Sequence, residues 1–157
     1  MVIGVISDTH GVLRPEAVRA LKGSKYIVHA GDIGNPEIIG KLAEIAPVTA
    51  VRGNVDRAAW ARKVPGTNIL AAGGVSIYVL HNLEDLDLNP EAAGFAAVIY
   101  GHSHVPKQEM RNGVLYLNPG SAGPKRFQLP VTLGRVYLMH GELRAEIVDL
   151  LAPSPSI

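Results

Sequence analysis

The chain has 157 residues, and its 15 basic and 14 acidic side chains leave a formal net charge of +1. A hydrophobic content of 47% suits a globular fold with a sizeable core and argues against intrinsic disorder. The near-neutral charge gives no footprint for a long nucleic acid or an anionic membrane surface. Cysteine is absent, which excludes disulfides and thiolate metal sites and leaves His, Asp and Asn as candidate ligands.

The sequence predicts one domain over residues 1–151, followed by a frayed tail over residues 152–157. The opening apolar run is too short for the core of a signal peptide, and no stretch reaches membrane-spanning length. A cytoplasmic protein without a membrane partner is therefore expected.

The first half of the chain alternates predicted strands with predicted helices. Both helices begin at a proline, a residue that suits the first helical position, and Asn35 can cap the second of them. Alternation of this kind implies right-handed parallel crossovers, which bring the carboxyl ends of the three strands to the same edge. The predicted elements are strand 2–6, helix 15–23, strand 26–30, helix 36–45 and strand 48–51.

The second half changes to antiparallel hairpins, with one further buried strand over residues 96–100. A short helix broken by Pro90 is expected within residues 83–94. Residues 57–66 are expected to be irregular, with Trp60 as a loop anchor or a rim residue. Three dipeptides predict hairpin turns: Gly73-Gly74, Asn112-Gly113 and His140-Gly141. The strands beside these turns are predicted over residues 68–72, 75–80, 107–111, 114–117, 132–139 and 142–151.

Side chains of the metal-binding type follow five of the apolar runs. They are Asp8 and His10, Asp32, Asn54, His81, and His102 with His104. Open α/β folds place ligands beyond the carboxyl ends of their strands, and mixed oxygen and imidazole ligands suit a divalent metal. One such motif is explained equally well as a turn, but five strand ends that converge on one edge predict a metal cluster.

The order Asp-x-His, Gly-Asp, Gly-Asn-x-Asp, His and Gly-His-x-His resembles the calcineurin-like metallophosphoesterases. The short chain without a cap domain resembles their YfcE-like branch of small bacterial and archaeal phosphodiesterases. The resemblance extends from Asp8 to the loop Asn118-Pro119-Gly120-Ser121. It implies an α/β protein with the metallophosphoesterase fold, a four-layer α/β/β/α sandwich of two mixed β-sheets flanked by helices.

The resemblance also implies a site for two divalent metal ions. Around one ion it places Asp8, His10, Asp32 and His104. Around the other it places Asp32, Asn54, His81 and His102, with the Asp32 carboxylate bridging the pair. Two ions about 3.5–4 Å apart lower the pKa of a bridging water, whose hydroxide attacks, and clamp the phosphoryl oxygens, so no side-chain nucleophile is needed. The residues implied to act in catalysis are Asp32, Asn54 and His102, and the expected ion is Mn²⁺, with Fe, Zn or Ni as alternatives.

One position departs from the family pattern. The family often reads Gly-Asn-His-Asp, where the histidine helps to protonate the leaving group, whereas this chain has Val55. Because valine cannot transfer a proton, we expect a metal-dependent phosphodiesterase that prefers small diesters with good leaving groups. The alternative is a catalytically weak protein-interaction scaffold, since the retromer subunit of this superfamily resembles this fold. An apolar edge strand could also support a homodimer or larger homo-oligomer.

Several polar residues near these motifs are open to a purely structural interpretation. His29 lies inside an apolar strand and is expected to be hydrogen-bonded in the core or behind a ligand. Asp56 is expected to order the Asn54 loop through backbone hydrogen bonds. The loop over residues 118–121 is explained equally well as a family loop near the sheet end or as a plain turn. Three basic side chains could reach a substrate phosphate or be solvated: Arg14, Lys125 and Arg126.

Overall fold

A computed structural model describes residues 1–152 of the chain, so the predicted frayed tail lies outside the described residues except for Ala152. The strands are β1 (Val2–Ile6), β2 (Tyr26–His29), β3 (Val48–Ala50), β4 (Thr67–Ala72), β5 (Val75–Leu80), β6 (Ala97–Ile99), β7 (Lys107–Arg111), β8 (Val114–Asn118), β9 (Thr132–Met139) and β10 (Glu142–Asp149). The helices are α1 (Pro15–Leu21), α2 (Pro36–Ala43) and α3 (Pro90–Ala93), with 3-10 helices at Ala59–Lys63 and Leu83–Asp85.

The strands form two five-stranded mixed sheets. The first has the order β10-β9-β1-β2-β3, and the second has the order β4-β5-β6-β8-β7. Strands β1, β2 and β3 are parallel, as the alternating pattern predicted. Strand β9 joins this sheet antiparallel to β1, and β10 pairs antiparallel with β9 at the edge. In the second sheet β5, β6 and β8 are parallel, while β4 and β7 pair antiparallel at its two edges.

Successive side chains along each strand point to opposite faces of its sheet, and the buried apolar side chains form three clusters. Val5 and Val28 of the first sheet share a buried cluster with Val79, Ile99 and Leu117 of the second, so the two sheets pack face to face. The other face of the first sheet buries its side chains against helices α1 and α2. The other face of the second sheet packs against the segment that contains the 3-10 helix Leu83–Asp85 and α3. These layers confirm the predicted α/β/β/α sandwich.

Turn and cap chemistry explains most element boundaries. Asn35 caps α2 as predicted, because its side chain accepts a hydrogen bond of 2.9 Å from the backbone N–H of Glu37. Gly73-Gly74 joins β4 and β5 in the predicted antiparallel hairpin. None of the helices within residues 1–152 is long and apolar enough to cross a bilayer.

Three local predictions need correction. Pro90 begins helix α3 rather than breaking a longer helix, because its missing N–H costs nothing at the first position and Asn89 caps the turn. Residues 59–63 form a 3-10 helix rather than an irregular loop, and Trp60 anchors it by packing on the helix-side core. The last strand ends at Asp149 because the carboxylate of this residue accepts the backbone N–H groups of residues 151 and 152 and turns the chain.

Candidate metal centre

The structure brings all seven predicted site residues together. They lie at the carboxyl ends of β1, β2, β3, β5 and β6: Asp8, His10, Asp32, Asn54, His81, His102 and His104. The prediction that five strand ends share one edge is wrong in detail, because β1, β2 and β3 belong to one sheet and β5 and β6 to the other. Face-to-face packing sets the two edges side by side, and the site lies across their junction.

Five of these residues leave their strands in the left-handed backbone conformation, which side-chain-bearing residues adopt rarely. Their φ angles are 55° for Asp8, 47° for His10, 55° for Asp32, 74° for His102 and 65° for His104. Each such residue costs on the order of 1 kcal/mol, and residues of this kind cluster at functional sites. The surrounding packing therefore maintains a local strain that directs these side chains across the junction.

The first group of ligand-type atoms comes from Asp8, His10, Asp32 and His104, which offer one atom each within 4.8 Å of one another. Asp8 Oδ1 lies 3.3 Å from His104 Nε2 and 3.7 Å from His10 Nε2, yet it is buried and accepts no hydrogen bond. The Nε2 atoms of His10 and His104 face each other at 3.3 Å. Two imidazole nitrogens and a carboxylate oxygen without a hydrogen-bond partner, all directed at one point, fit a bound cation.

The second group comes from Asn54, His81 and His102. Asn54 Oδ1 lies 3.1 Å from His81 Nε2 and 3.3 Å from His102 Nδ1. His81 Nδ1 lies 2.7 Å from the Ala30 carbonyl oxygen and must donate to it, so a neutral His81 turns its Nε2 lone pair toward the Asn54 oxygen. A cation held here would face the Asn54 oxygen and, in a neutral His81, the Nε2 lone pair.

Asp32 lies between the two groups. Its Oδ2 is 3.6 Å from His10 Nε2 of the first group and 3.2 Å from His81 Nε2 of the second. Its Oδ1 accepts a hydrogen bond of 3.1 Å from the Val55 backbone N–H, which fixes the carboxylate plane. This position suits a carboxylate that contacts ions on both sides.

The electrostatics of the site favour ionised carboxylates. Burial opposes ionisation of Asp8, but the nearby His10 and His104 side chains and the hydrogen bond from Ser7 outweigh it and hold the pKa well below its usual range. Burial likewise opposes ionisation of Asp32, yet the hydrogen bond to His81 lowers the pKa of this carboxyl. Burial would lower the pKa of His81, but Asp32 overcomes this effect and raises it. Metal binding at these residues therefore competes with protonation of the Asp32–His81 pair.

Residues outside the predicted site hold the candidate ligands in place. Ser7 Oγ donates to Asp8 Oδ2 at 2.6 Å, and no motif of the sequence distinguishes this hydroxyl from any other serine. The Asn118 amide donates to the Gly101 carbonyl at 3.0 Å and to Ser103 Oγ at 3.1 Å, which fastens the loop that carries His102 and His104. Ser121 Oγ donates to the backbone oxygen of Asp8 at 3.0 Å. The loop over residues 118–121 is therefore a support of the site rather than a plain turn.

Two residues with a suspected structural role do have one. His29 is completely buried, where its Nδ1 accepts from the Gly31 N–H at 3.1 Å and its Nε2 lies 3.1 Å from Thr9 Oγ1. Asp56 accepts three backbone N–H groups, from Ile33, Gly34 and Gly53, at 2.9–3.0 Å. Both residues stabilise loops beside the ligands, and neither belongs to the two ligand groups.

The two groups differ in their access to solvent. Asp8, Asp32 and His104 are buried, whereas Asn54 and His102 are exposed. A cavity of about 340 Å³ opens beside Asn54, His81 and His102. The second group is therefore the side of the centre that is open to solvent.

Comparison with known proteins gives two informative curated relatives. One is named a probable metallophosphoesterase, from Methanothermobacter thermautotrophicus; it is 34% identical, and the match covers 98% of this chain and 95% of the relative. The other is the phosphodiesterase YfcE of Escherichia coli, which is 28% identical with 82% and 83% covered. Their names support the predicted class of enzyme, a phosphoric diester hydrolase.

Among solved structures, Vps29 from Chaetomium thermophilum superposes with a TM-score of 0.76, covers 95% of this chain and 96% of its own, and is 17% identical. This likeness concerns the fold alone. The family model described as the calcineurin-like phosphoesterase superfamily domain matches residues 1–143. Because this match spans most of the chain, the chain belongs to the calcineurin-like phosphoesterase superfamily.

Proposed function

We propose that the protein is a di-metal phosphodiesterase in which the two ligand groups each hold one divalent ion. The observation that carries the proposal is the buried Asp8 Oδ1, which lacks a hydrogen-bond partner and faces the Nε2 atoms of His10, His104 and His81 at 3.7, 3.3 and 4.0 Å. A buried bare carboxylate oxygen is costly unless a cation occupies the space it faces. The oxygen and nitrogen ligands suit Mn²⁺ first, and also Fe, Zn or Ni.

When bound, a pair of divalent ions supplies a hydroxide nucleophile near neutral pH and neutralises charge on the phosphoryl oxygens. The chain contributes the positioning. Asp32 stands between the two groups and accepts the Val55 N–H, so its carboxylate keeps one orientation through the reaction. Asn54 turns its Oδ1 toward His81 and His102 and leaves its amide N–H groups to donate to a phosphoryl oxygen.

The side chain of residue 55 cannot donate a proton to the leaving group. The Val55 side chain is 47% exposed beside Asn54, where the family often has a proton donor. The leaving oxygen therefore departs as an anion or takes its proton from water. This requirement favours leaving groups of low pKa, such as aryl alcohols.

The test is hydrolysis of bis-p-nitrophenyl phosphate and p-nitrophenyl phosphate by metal-stripped protein, before and after Mn²⁺ is added back. We expect cleavage that depends on Mn²⁺ and favours the diester. Asp32→Ala and His102→Ala should abolish turnover with unchanged circular dichroism, whereas His140→Ala, on an exposed turn, should behave like the wild type. Turnover close to wild type in either site variant would refute the assignment.

A scaffold is the competing function, because the Vps29 fold superposes over nearly the whole chain. Stoichiometric Mn²⁺ binding with no turnover of either ester would favour the scaffold over the enzyme. We also propose a cytoplasmic location and a small phosphodiester substrate. A homodimer, which size-exclusion chromatography with light scattering would detect, remains a prediction.

A further inference from the structure

The cavity beside the exposed half of the metal centre contains a basic residue that the proposed chemistry does not use. Its walls include Asn54, His81 and His102 of the centre, together with Arg52, Thr67 and Asp85. With a volume of about 340 Å³ it stands at the small end of pockets for small molecules. It can therefore hold one substituent of metabolite size next to a phosphoryl group at the metals.

Arg52 is held in a fixed position in this wall. Its Nη1 donates to the Val64 carbonyl at 2.7 Å, and its backbone N–H donates to the Pro65 carbonyl at 2.9 Å. A Cβ atom at Gly66 would lie 3.4 Å from Arg52 Nη2, so the guanidinium rests on the glycine backbone. The side chain is thus oriented by neutral groups that leave its charge uncompensated.

No carboxylate pairs with this guanidinium in the part of the chain that the structure describes. Nε and Nη2 of Arg52 donate no hydrogen bond among the same residues, so they remain available to a ligand. A planar guanidinium with two neighbouring free N–H donors can bind a carboxylate or phosphate through bidentate hydrogen bonds.

We propose that this cavity binds one of the two esterifying groups of the phosphodiester, and that Arg52 selects a group with an anionic substituent, a carboxylate or a second phosphate. The inference rests on the proposed phosphodiesterase function and adds the class of substrate. Asn54 is two residues from Arg52 and lines the same cavity. One diester can therefore present its phosphorus to the metals and its anionic substituent to Arg52.

Asp85 restricts the charge that this cavity accepts. It lies at the end of the 3-10 helix that follows β5, on an element separate from that of Arg52. A carboxylate in the same cavity repels anionic ligands, so the substituent carries one anionic group rather than several. Removal of the Asp85 charge should strengthen the selection that Arg52 imposes.

The test compares two synthetic diesters with the same p-nitrophenolate leaving group. One is 3-carboxypropyl p-nitrophenyl phosphate, and the other is its methyl ester, which lacks the second negative charge. With Mn²⁺-loaded wild type we expect kcat/KM to be about 10-fold higher for the carboxylate, mainly through KM. Arg52→Gln should bring the ratio of kcat/KM for the carboxylate to that for the methyl ester close to one. It should leave kcat/KM for the methyl ester within about 3-fold of the wild-type value. Asp85→Asn should raise the ratio.

Control variants distinguish recognition of the anionic substituent by Arg52 from a structural role of Arg52 in its loop. Arg62→Gln removes the same charge from an exposed position that does not line this cavity, and it should leave the ratio unchanged. Arg52→Lys keeps the charge without the fork and should retain only part of the preference. Equal loss for both diesters in Arg52→Gln, or a wild-type ratio near one, would overturn the inference alone. Failure to cleave both diesters and bis-p-nitrophenyl phosphate would overturn the proposed function with it.

Discussion

Ser7 and Asp8 are neighbours in sequence, and a hydrogen bond between their side chains decides which carboxylate oxygen faces the metal centre. Ser7 Oγ donates to Asp8 Oδ2 at 2.6 Å, and the His102 backbone N–H donates to the same oxygen at 3.2 Å. Oδ1 accepts no hydrogen bond and points toward the imidazoles. The two oxygens of one carboxylate therefore have separate surroundings: one is held by hydrogen bonds, and the other faces the candidate metal site.

Ser7→Ala should weaken metal binding by about 10-fold, because loss of a hydrogen bond behind a ligand usually costs 10–100-fold in affinity. Isothermal titration of the metal-free protein with Mn²⁺ measures the change directly. Ser76→Ala, at the start of β5 and remote from the strand ends that carry ligands, is the matched control. An unchanged Mn²⁺ affinity in Ser7→Ala would show that the Asp8 carboxylate needs only the His102 N–H.

Gly101→Ala should damage both the fold and the centre. A Cβ atom there would lie 2.6 Å from Asp8 Oδ2 and would also collide with Ser7 Oγ. We expect a loss of about 1–3 kcal/mol in the free energy of unfolding and weaker Mn²⁺ binding. Gly40→Ala is the control: Gly40 lies in α2 with no atom within 4 Å of an added Cβ, so the free energy of unfolding should rise by about 0.5–1 kcal/mol. Urea unfolding of both variants measures this contrast, and equal stability would contradict it.

His29 should make the metal-free protein less stable in mild acid. Burial lowers the pKa of His29 to about 4, from 6.5, although the charges of Asp8 and Asp56 oppose this effect. The unfolded chain therefore takes up a proton below pH 6.5 that the folded state takes up only near pH 4. Between these two pKa values this titration lowers the free energy of unfolding by about 3 kcal/mol. About 2 kcal/mol of this decrease occurs between pH 7.5 and 5.

The variant His29→Gln lacks this titration. Between pH 7.5 and 5, the decrease in its free energy of unfolding should therefore be about 2 kcal/mol smaller than the decrease in the wild type. Urea unfolding in the presence of a chelator gives both values, and the comparison cancels the groups that the two proteins share. His140→Gln, on the exposed turn between β9 and β10, should keep the wild-type dependence. Parallel curves for His29→Gln and wild type would contradict a neutral buried imidazole.

Val55→His should supply the missing proton donor. The Val55 backbone N–H donates to Asp32 Oδ1, a bond that the substitution retains, and the exposed side chain has room to change. For diesters with the same retained group, we expect p-nitrophenyl release to change by less than about 3-fold and phenyl release to rise about 10-fold or more. The dependence of rate on leaving-group pKa should thus become shallower. The same steep dependence in Val55→His and Val55→Ala would exclude general-acid catalysis from this position.

Local sequence signals were sufficient for most of the framework. Short apolar runs that end in Asp, His or Asn marked β1, β2, β3, β5 and β6, because the pleat and the burial of these strands demand continuous apolar side chains. Most turns were predicted from the positions of proline and glycine. Pro90 was misread because a proline that starts a short helix and one that breaks a longer helix have the same local signature.

The residue types of the candidate site were also evident from the order of motifs, whereas their arrangement was not. Which sheet carries which ligand depends on face-to-face packing of Val5 and Val28 against Val79 and Ile99, contacts between residues far apart in the chain. The unpaired oxygen of Asp8, the cavity wall at Arg52 and the support from Asn118 arise from the same long-range packing. Sequence alone indicated the candidate ligand set and the absence of a histidine at position 55, because both are properties of residue type. Only the tertiary structure decided which atoms face one another, because distances between side chains of separate strands are set by how two sheets pack.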